Sequence, residues 1–368
     1  MKYYFDNAAT TPLTNEMKSY LISILDVFGN PSSLHSEGWL SRNLIETTRK
    51  TVAKFINAKD NNEIYFTSSG SASNTLAISG YVSKNKCEIY YSPTSHKSIL
   101  KNIDGLNIPK CPLKVNGCGE IDIADLERKL KKCRKKPFVI FEYANSEIGT
   151  IQDVKIISDL VHQYNGVVMV DCTGSISSIP LDVQALEIDM AVFSGHKIGA
   201  LKGVGVFYKK NIIKLFPLVF GAQEEGLFGG TENILGIASV GKAIELLHYN
   251  TSYARDFVWH NIKNIDGLYL IGKQIYEERL NNNLYVCVKG VPGQKLVAMM
   301  DDLFNTQIST GSACNNGEPT PSVVLKAIGI LEEDIHNCIR ISFKGNETDE
   351  QLEQFCKNLS LCISILKD

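Results

Sequence analysis

Four short stretches hold side chains that could do chemistry together. In "SGHKIGALKG" Lys197 lies between Gly195 and Gly199, with a hydroxyl at Ser194 and an imidazole at His196. Small neighbours let a lysine approach a bound molecule closely, and desolvation there lowers its pKa toward that of a nucleophilic amine. The same composition also suits a solvated lysine in an open loop. In "FTSSGSASNTLAI" the residues Ser68-Ser69-Gly70-Ser71 precede a helical pattern. Hydroxyls and free N–H groups at a helix N-terminus form a phosphate seat, although serine there also serves as a plain cap. In "VMVDCTGS" an apolar run delivers Asp171 to a loop, where a carboxylate either meets a cation or caps a helix. In "ISTGSACNNGEPTPSVVL" Cys314 sits among Gly, Ser, Asn and Pro, a composition for a mobile, exposed loop in which a thiol is either a nucleophile or incidental.

The elements that must position these groups follow from periodicity. From about Glu63 to Lys210, short β-rich runs ("EIYFTS", "EIYYSP", "PFVIFEYA", "GVVMVD", "DMAVFSG", "GVGVFYKK") alternate with helical stretches such as Ser71 to Val82, "DIADLERKLKKC" and "DVKIISDLVHQY". That rhythm predicts an α/β fold whose large domain holds a mostly parallel sheet of seven-stranded type flanked by helices, with ligands outside the carboxyl ends of the strands. Asp171 and Lys197 then end neighbouring strand units, about one βαβ crossover apart. A carboxylate for a pyridinium nitrogen and a lysine for an aldehyde are the two groups that pyridoxal phosphate demands of a protein. Past Thr231 a helical pattern runs to roughly Ile262, predicting a continuous helix that joins the domains. "NLYVCVKG", "CIRISF" and a helix from Thr348 to Ile365 predict a small α+β domain. The expected division is 13–250 for the large domain, with 1–12 and 251–368 in the small one.

Composition narrows the function class. A formal net charge of −2 provides no field for nucleic acid or an anionic membrane, so a small-molecule substrate is expected. No run is long and apolar enough to span a bilayer, and the start "MKYYFDNAATTPL" lacks the apolar stretch of a signal peptide, which predicts a cytoplasmic protein. The ten cysteines show no CxxC pair or Cys/His cluster at metal-ligand spacing, so free thiols and no metal site are expected. The Walker pattern GxxxxGK[ST] is absent too.

In order along nearly the whole chain, "DNAATTP", "GNPSSLH", "FTSSGS", "TSHK", "NSEIGTIQD", "VDCT", "FSGHK", "GGTEN", "TGSAC" and "IRISF" resemble the cysteine desulfurases. These are pyridoxal-phosphate enzymes of the aspartate-aminotransferase fold type, and the similarity is to their NifS-like branch with a long cysteine loop. The resemblance implies that Lys197 carries the cofactor and moves the substrate's α-proton, that Asp171 pairs with the pyridinium nitrogen, and that His96 stacks on the ring and assists proton transfer. Gly70, Ser71, Ser194 and His196 would hold the phosphate, joined by Thr231 from the second subunit of a homodimer. Asn145 and Arg340 would bind the substrate, Arg340 through its carboxylate. Cys314 would take sulfur from L-cysteine, leaving alanine and a persulfide for an acceptor such as an iron–sulfur scaffold or a thiolation protein.

The chain departs from the family pattern at Ser146 (usually Asn), Gly174 (usually a Gln that bonds the cofactor's phenolic oxygen), Phe228 (usually Arg), Thr75 (usually Asn) and Leu201 (usually Pro). Beside Gly174 a water, or Cys172, is the expected stand-in donor. These changes keep two other readings in view: a pyridoxal-phosphate lyase or transaminase acting on another amino acid, and a catalytically impaired homologue that serves as a partner-binding subunit.

Overall fold

The computed structural model describes residues 3–249, 251–311 and 321–367. After a short strand β1 (Tyr3–Tyr4), helices α1 (Asn15–Ser23) and α2 (Ser36–Phe55) lead into the main sheet. Its strands are β2 (Ile64–Thr67), β3 (Cys87–Tyr91), β4 (Lys110–Pro112), β5 (Lys136–Glu142), β6 (Val167–Asp171), β7 (Met190–Ser194) and β8 (Gly205–Lys209). The seven strands lie in the order β2-β8-β7-β6-β5-β3-β4. Pairing is parallel from β7 through β6, β5 and β3 to β4, whereas β8 runs antiparallel to both β7 and β2. Two antiparallel steps bring β2 back to the direction of β7. The carboxyl ends of β2, β3, β5, β6 and β7 therefore emerge on one edge.

Helices α3 (Gly70–Lys84), α4 (Lys97–Asp104), α5 (Ile123–Leu130), α6 (Val154–Gln163) and α7 (Ile234–Glu245) complete this part. The central strands are apolar on both faces because both are covered, as parallel sheets require. Phe138, Ile140, Val167 and Met169 pack with Leu76 and Tyr81 of α3 and Ile99 of α4. The alternate residues Val139, Phe141, Val168 and Val170 pack with Val52 of α2, Val161 of α6 and Val240 of α7. Period-2 alternation thus sorts each strand between two cores. It also turns the strand-end residues Glu142 and Asp171 to the α3/α4 side.

The helical pattern beyond Thr231 is not one continuous helix. Helix α7 ends at Glu245, with its carbonyl ends closed by the Leu246 N–H, and α8 (Tyr253–Ile262) starts afresh after Ser252. The apolar period therefore survives a break in the backbone. Downstream lie β9 (Leu268–Leu270), β10 (Asn283–Val288), α9 (Gly293–Phe304), β11 (Thr306–Gln307), α10 (Val323–Ala327), α11 (Glu332–Ile335), β12 (Cys338–Ser342) and α12 (Asp349–Lys367). Strand β10 is the centre of an antiparallel β12-β10-β9 sheet, and β1 pairs with β11. Phe5 belongs to this later core: its ring lies 4.5 Å from Phe355 and 5.9 Å, edge-on, from Phe343.

Candidate active site

At the edge where the parallel strands end, a cavity of about 400 Å³ is lined by Gly70, Ser71, His96, Asp171, Ser194, His196 and Lys197. Seven of the residues singled out in the sequence, from four separate loops, therefore meet in one place. Gly70 and Ser71 open α3, whose N-terminus Ser69 caps by accepting from Ala72 N. A Cβ on Gly70 would stand 3.2 Å from that of Ser194, so glycine is what lets the α3 and β7 ends meet this closely. First-turn N–H groups, two serine hydroxyls and an imidazole form an anion seat here.

Lys197 ends a short 3₁₀ turn (Gly195–Lys197) that follows β7 directly. Residues 6–11 fold over this turn: Lys197 Nζ donates to the carbonyls of Ala8 and, at 3.0 Å, Ala9, while Thr11 Oγ1 donates to Lys197 O at 3.0 Å. Burial, and then the nearby Arg340 charge, bring the Lys197 ammonium down to about 8, against the opposing pull of Asp6, Asp171 and Glu142. The amine is thus anchored and readily deprotonated, which nucleophilic nitrogen chemistry needs. His196 shares a 3.1 Å hydrogen bond through Nδ1 with Thr10 Oγ1, and burial followed by Lys197 and Lys202 holds it down at about 4, so it is neutral at physiological pH.

Asp171 is buried, and its partners among the described residues are neutral: Oδ2 accepts from Asn74 Nδ2 at 2.8 Å and Oδ1 from Thr173 N at 2.9 Å. Beside it stands Glu142, its register partner across the β5–β6 pair. Glu142 also lines the cavity and accepts from His96 N at 3.2 Å and Asn145 Nδ2 at 3.0 Å. Burial, then the adjacent Asp171 charge, push its carboxyl well above the usual range. Sequence reading missed Glu142. A lone acid ending the apolar run "PFVIFE" was the available signal, but register decides which strand end it faces.

Other expected residues fall differently. Asn145 does not line the cavity: its Oδ1 accepts from Glu147 N and Ile148 N and its Nδ2 donates to Thr94 O at 2.9 Å as well as to Glu142. An Asx-type turn consumes it, and its neighbour Ser146 lines the cavity instead. Thr231 is exposed and is not brought to the cavity of its own chain. Arg340, in β12, is paired by Nη2 with Asp6 at 2.8 Å and by Nη1 with Ser146 O at 3.2 Å, leaving Nε buried without a partner among the described residues. Cys314 lies outside the described residues. Cys172 is no stand-in donor: it is buried in the α2/α6/α7-side core, its thiol directed at Val170 O. Gly174 has a steric reason, since a Cβ there would come within 2.6 Å of Ala144 O and 3.4 Å of Ser146 Cβ. Strand-end loops 144–146 and 173–174 touch, and no glutamine fits at 174 on this backbone.

A cofactor carrying an aldehyde, a ring nitrogen and a phosphate fits this donor set, with an amine of lowered pKa, a buried carboxylate with only neutral partners and a hydroxyl-lined helix N-terminus all facing one space. Comparisons with known proteins agree. Residues 3–355 match the family model for class-V aminotransferases. Cysteine desulfurase IscS 1 of Archaeoglobus fulgidus is 32% identical over 99% of this chain and 97% of its own length. The X-ray structure of a NifS-like protein from Rickettsia africae superposes with a TM-score of 0.90 at 28% identity, covering 99% of this chain and 100% of that one. A structure described as SspA in complex with cysteine gives 0.81 at 28%, covering 95% and 100%.

Proposed function

We propose, from the premise that this chain belongs to the class-V aminotransferase family, that it is a pyridoxal-phosphate-dependent L-cysteine desulfurase. The carrying observation is the convergence of Lys197, Asp171 and His96 on one cavity with the Ser71/Ser194/His196 anion seat. When bound, the cofactor supplies an electron sink conjugated to the substrate's α-carbon. Lys197 would hold the cofactor's aldehyde carbon, Asp171 its ring nitrogen, and Gly70, Ser71, Ser194 and His196 its phosphate, with His96 as the residue facing its ring. Arg340 would receive the substrate carboxylate on its fork in exchange for its present partner Asp6. Once substrate is bound, the Lys197 amine takes the proton from its α-carbon. The thiol of Cys314 gives up its proton and attacks the sulfur of L-cysteine: the substrate's C–S bond breaks with its electron pair going to carbon, which takes up a proton, a new S–S bond forms, and alanine leaves with an enzyme persulfide behind. The similar structure described as SspA in complex with cysteine supports that substrate.

The persulfide sulfur passes to an acceptor protein, an iron–sulfur scaffold or a thiolation protein, and the working form is a homodimer in which Thr231 reaches the second subunit's phosphate seat; the exposure of Thr231 fits such a role. Separate apolar cores support a division near residue 250, with residues 1–12 joining the later part through Phe5. The cytoplasm suits its nine described cysteines, all free thiols. Among the described residues no helix is long and apolar enough to cross a membrane. Incubation with L-cysteine and a thiol reductant should yield alanine and sulfide in equal amounts, and Cys314→Ala should stop both. Alanine formed undiminished by the variant, or faster turnover of a sulfur-free amino acid, contradicts the reading.

A further inference from the structure

Asp171 and His96 are joined by hydrogen bonds whose direction can be deduced. A carboxylate only accepts, so the Asn74 amide atom that meets Asp171 Oδ2 at 2.8 Å is nitrogen. The same nitrogen lies 2.9 Å from Ser98 Oγ and can only donate there. With that incoming bond on its oxygen, Ser98 directs its own proton to His96 Nδ1, 2.8 Å away. A second constraint comes from the backbone: Ser98 N–H, which can only donate, also meets Nδ1, at 3.1 Å. Nδ1 is therefore an acceptor twice over, and the ring's proton is on Nε2. The amide's opposite end shows that this orientation is imposed, since Asn74 Oδ1 is buried without a partner among the described residues, yet turning the amide over would set two acceptors against each other at Asp171.

We propose that Asn74 and Ser98 are positioning residues that fix His96 as its Nε2–H tautomer and tie its orientation to Asp171, so that His96 meets the reacting molecule as a proton donor. Neither residue need touch substrate or cofactor to do so. Sequence spacing supplies the parts. Asn74 lies one turn into α3 and Ser98 in the first turn of α4, whose N-cap is His96 itself. The two helices pack side by side on one face of the sheet, which brings a residue from each to the end of β6. The charged groups that face the ring are Asp171 from β6, Lys197 from the turn after β7 and Lys97 on α4, with Glu142 at the end of β5 bonded to the His96 N–H. Desolvation by the cavity wall, with the two lysines, keeps the imidazole below its ordinary pKa against the pull of Asp171, which agrees with a neutral donor.

The inference rests on the proposed function only for the meaning of the proton, and its test does not depend on turnover. In the full chain carrying pyridoxal phosphate and ¹⁵N,¹³C-labelled histidine, NMR should find His96 Nδ1 unprotonated and Nε2 protonated at neutral pH. Ser98→Ala removes a donor that stabilises the neutral ring, so the His96 titration midpoint should rise by about 0.5–1 pH unit, the scale of one net hydrogen bond. Ser98→Thr, which keeps the hydroxyl, should restore the wild-type midpoint. Asn74→Ala should shift it in the same direction by less. A proton on Nδ1, or a midpoint unmoved by Ser98→Ala, overturns the proposal and leaves the desulfurase reading to its own assay.

Discussion

Two buried aspartates at opposite ends of the main sheet have opposite surroundings. Asp189, just before β7, accepts from His162 Nε2 at 2.8 Å, Lys210 Nζ at 2.8 Å and Val168 N at 2.9 Å. These partners together hold its carboxyl below the ordinary range despite burial. Asp171, at the far end of the adjacent strand, is as deeply buried, but its described partners are an amide and a backbone N–H, and a second carboxyl, Glu142, stands alongside. One end of the sheet neutralises its acid with the protein's own cations. The other leaves an acid whose natural complement is a cationic ligand atom. Stability and function are thus divided between two ends of the same strands, as expected where ligands bind at carboxyl ends.

Exchanging charge for amide at each end would break or sharpen that contrast. Asp171→Asn should lower cysteine turnover by about 10²–10³-fold, the usual loss when one electrostatic stabiliser is removed from a reacting centre. Its urea-unfolding free energy should stay level or rise, because a buried charge with only neutral described partners is removed. Asp189→Asn should do the reverse: turnover within about two-fold of wild type, and a stability loss of about 2 kcal/mol. That figure lies below the usual cost of breaking a buried pair because His162 and Lys210 are partly in water. Equal stability losses for the two variants would dissolve the distinction.

A smaller effect follows from pH. His162 is raised above its ordinary value, chiefly by its bond to Asp189, so its contribution is complete below about pH 6.5 and fades as pH rises through the higher folded value. Asp189 is lowered, so its contribution holds above about pH 4 and fades as pH falls through the folded value. The stability difference between wild type and His162→Asn should therefore be greatest between about pH 4 and 6.5, at about 1 kcal/mol, and shrink on either side. A difference that keeps growing above pH 7 contradicts the pairing.

Much of the large sheet is legible because its strands are apolar on both faces and separated by capped helices; "GVVMVD" and "DMAVFSG" alone place Asp171 and Lys197 at strand ends. Pairing register was not legible. Glu142 looks like an accident at the end of an apolar run until β5 lies beside β6, and Asn145 looks like a ligand until its side chain is seen closing its own turn. Periodicity also passed over the break after Glu245, since an apolar stripe reports which face is buried and not whether the helix is continuous. Phe5 was expected in the small domain, but its tilted ring contact with Phe355 spans almost the full chain and no local pattern encodes it.

The central claim is that the Lys197 amine, clamped by the Ala8 and Ala9 carbonyls, carries the cofactor. Borohydride reduction of the protein loaded with pyridoxal phosphate, followed by peptide mass mapping, tests it directly. The account predicts a single phosphopyridoxyl group on Lys197, and none after Lys197→Ala. A label on another lysine, or a loaded protein that takes up no label, would contradict it.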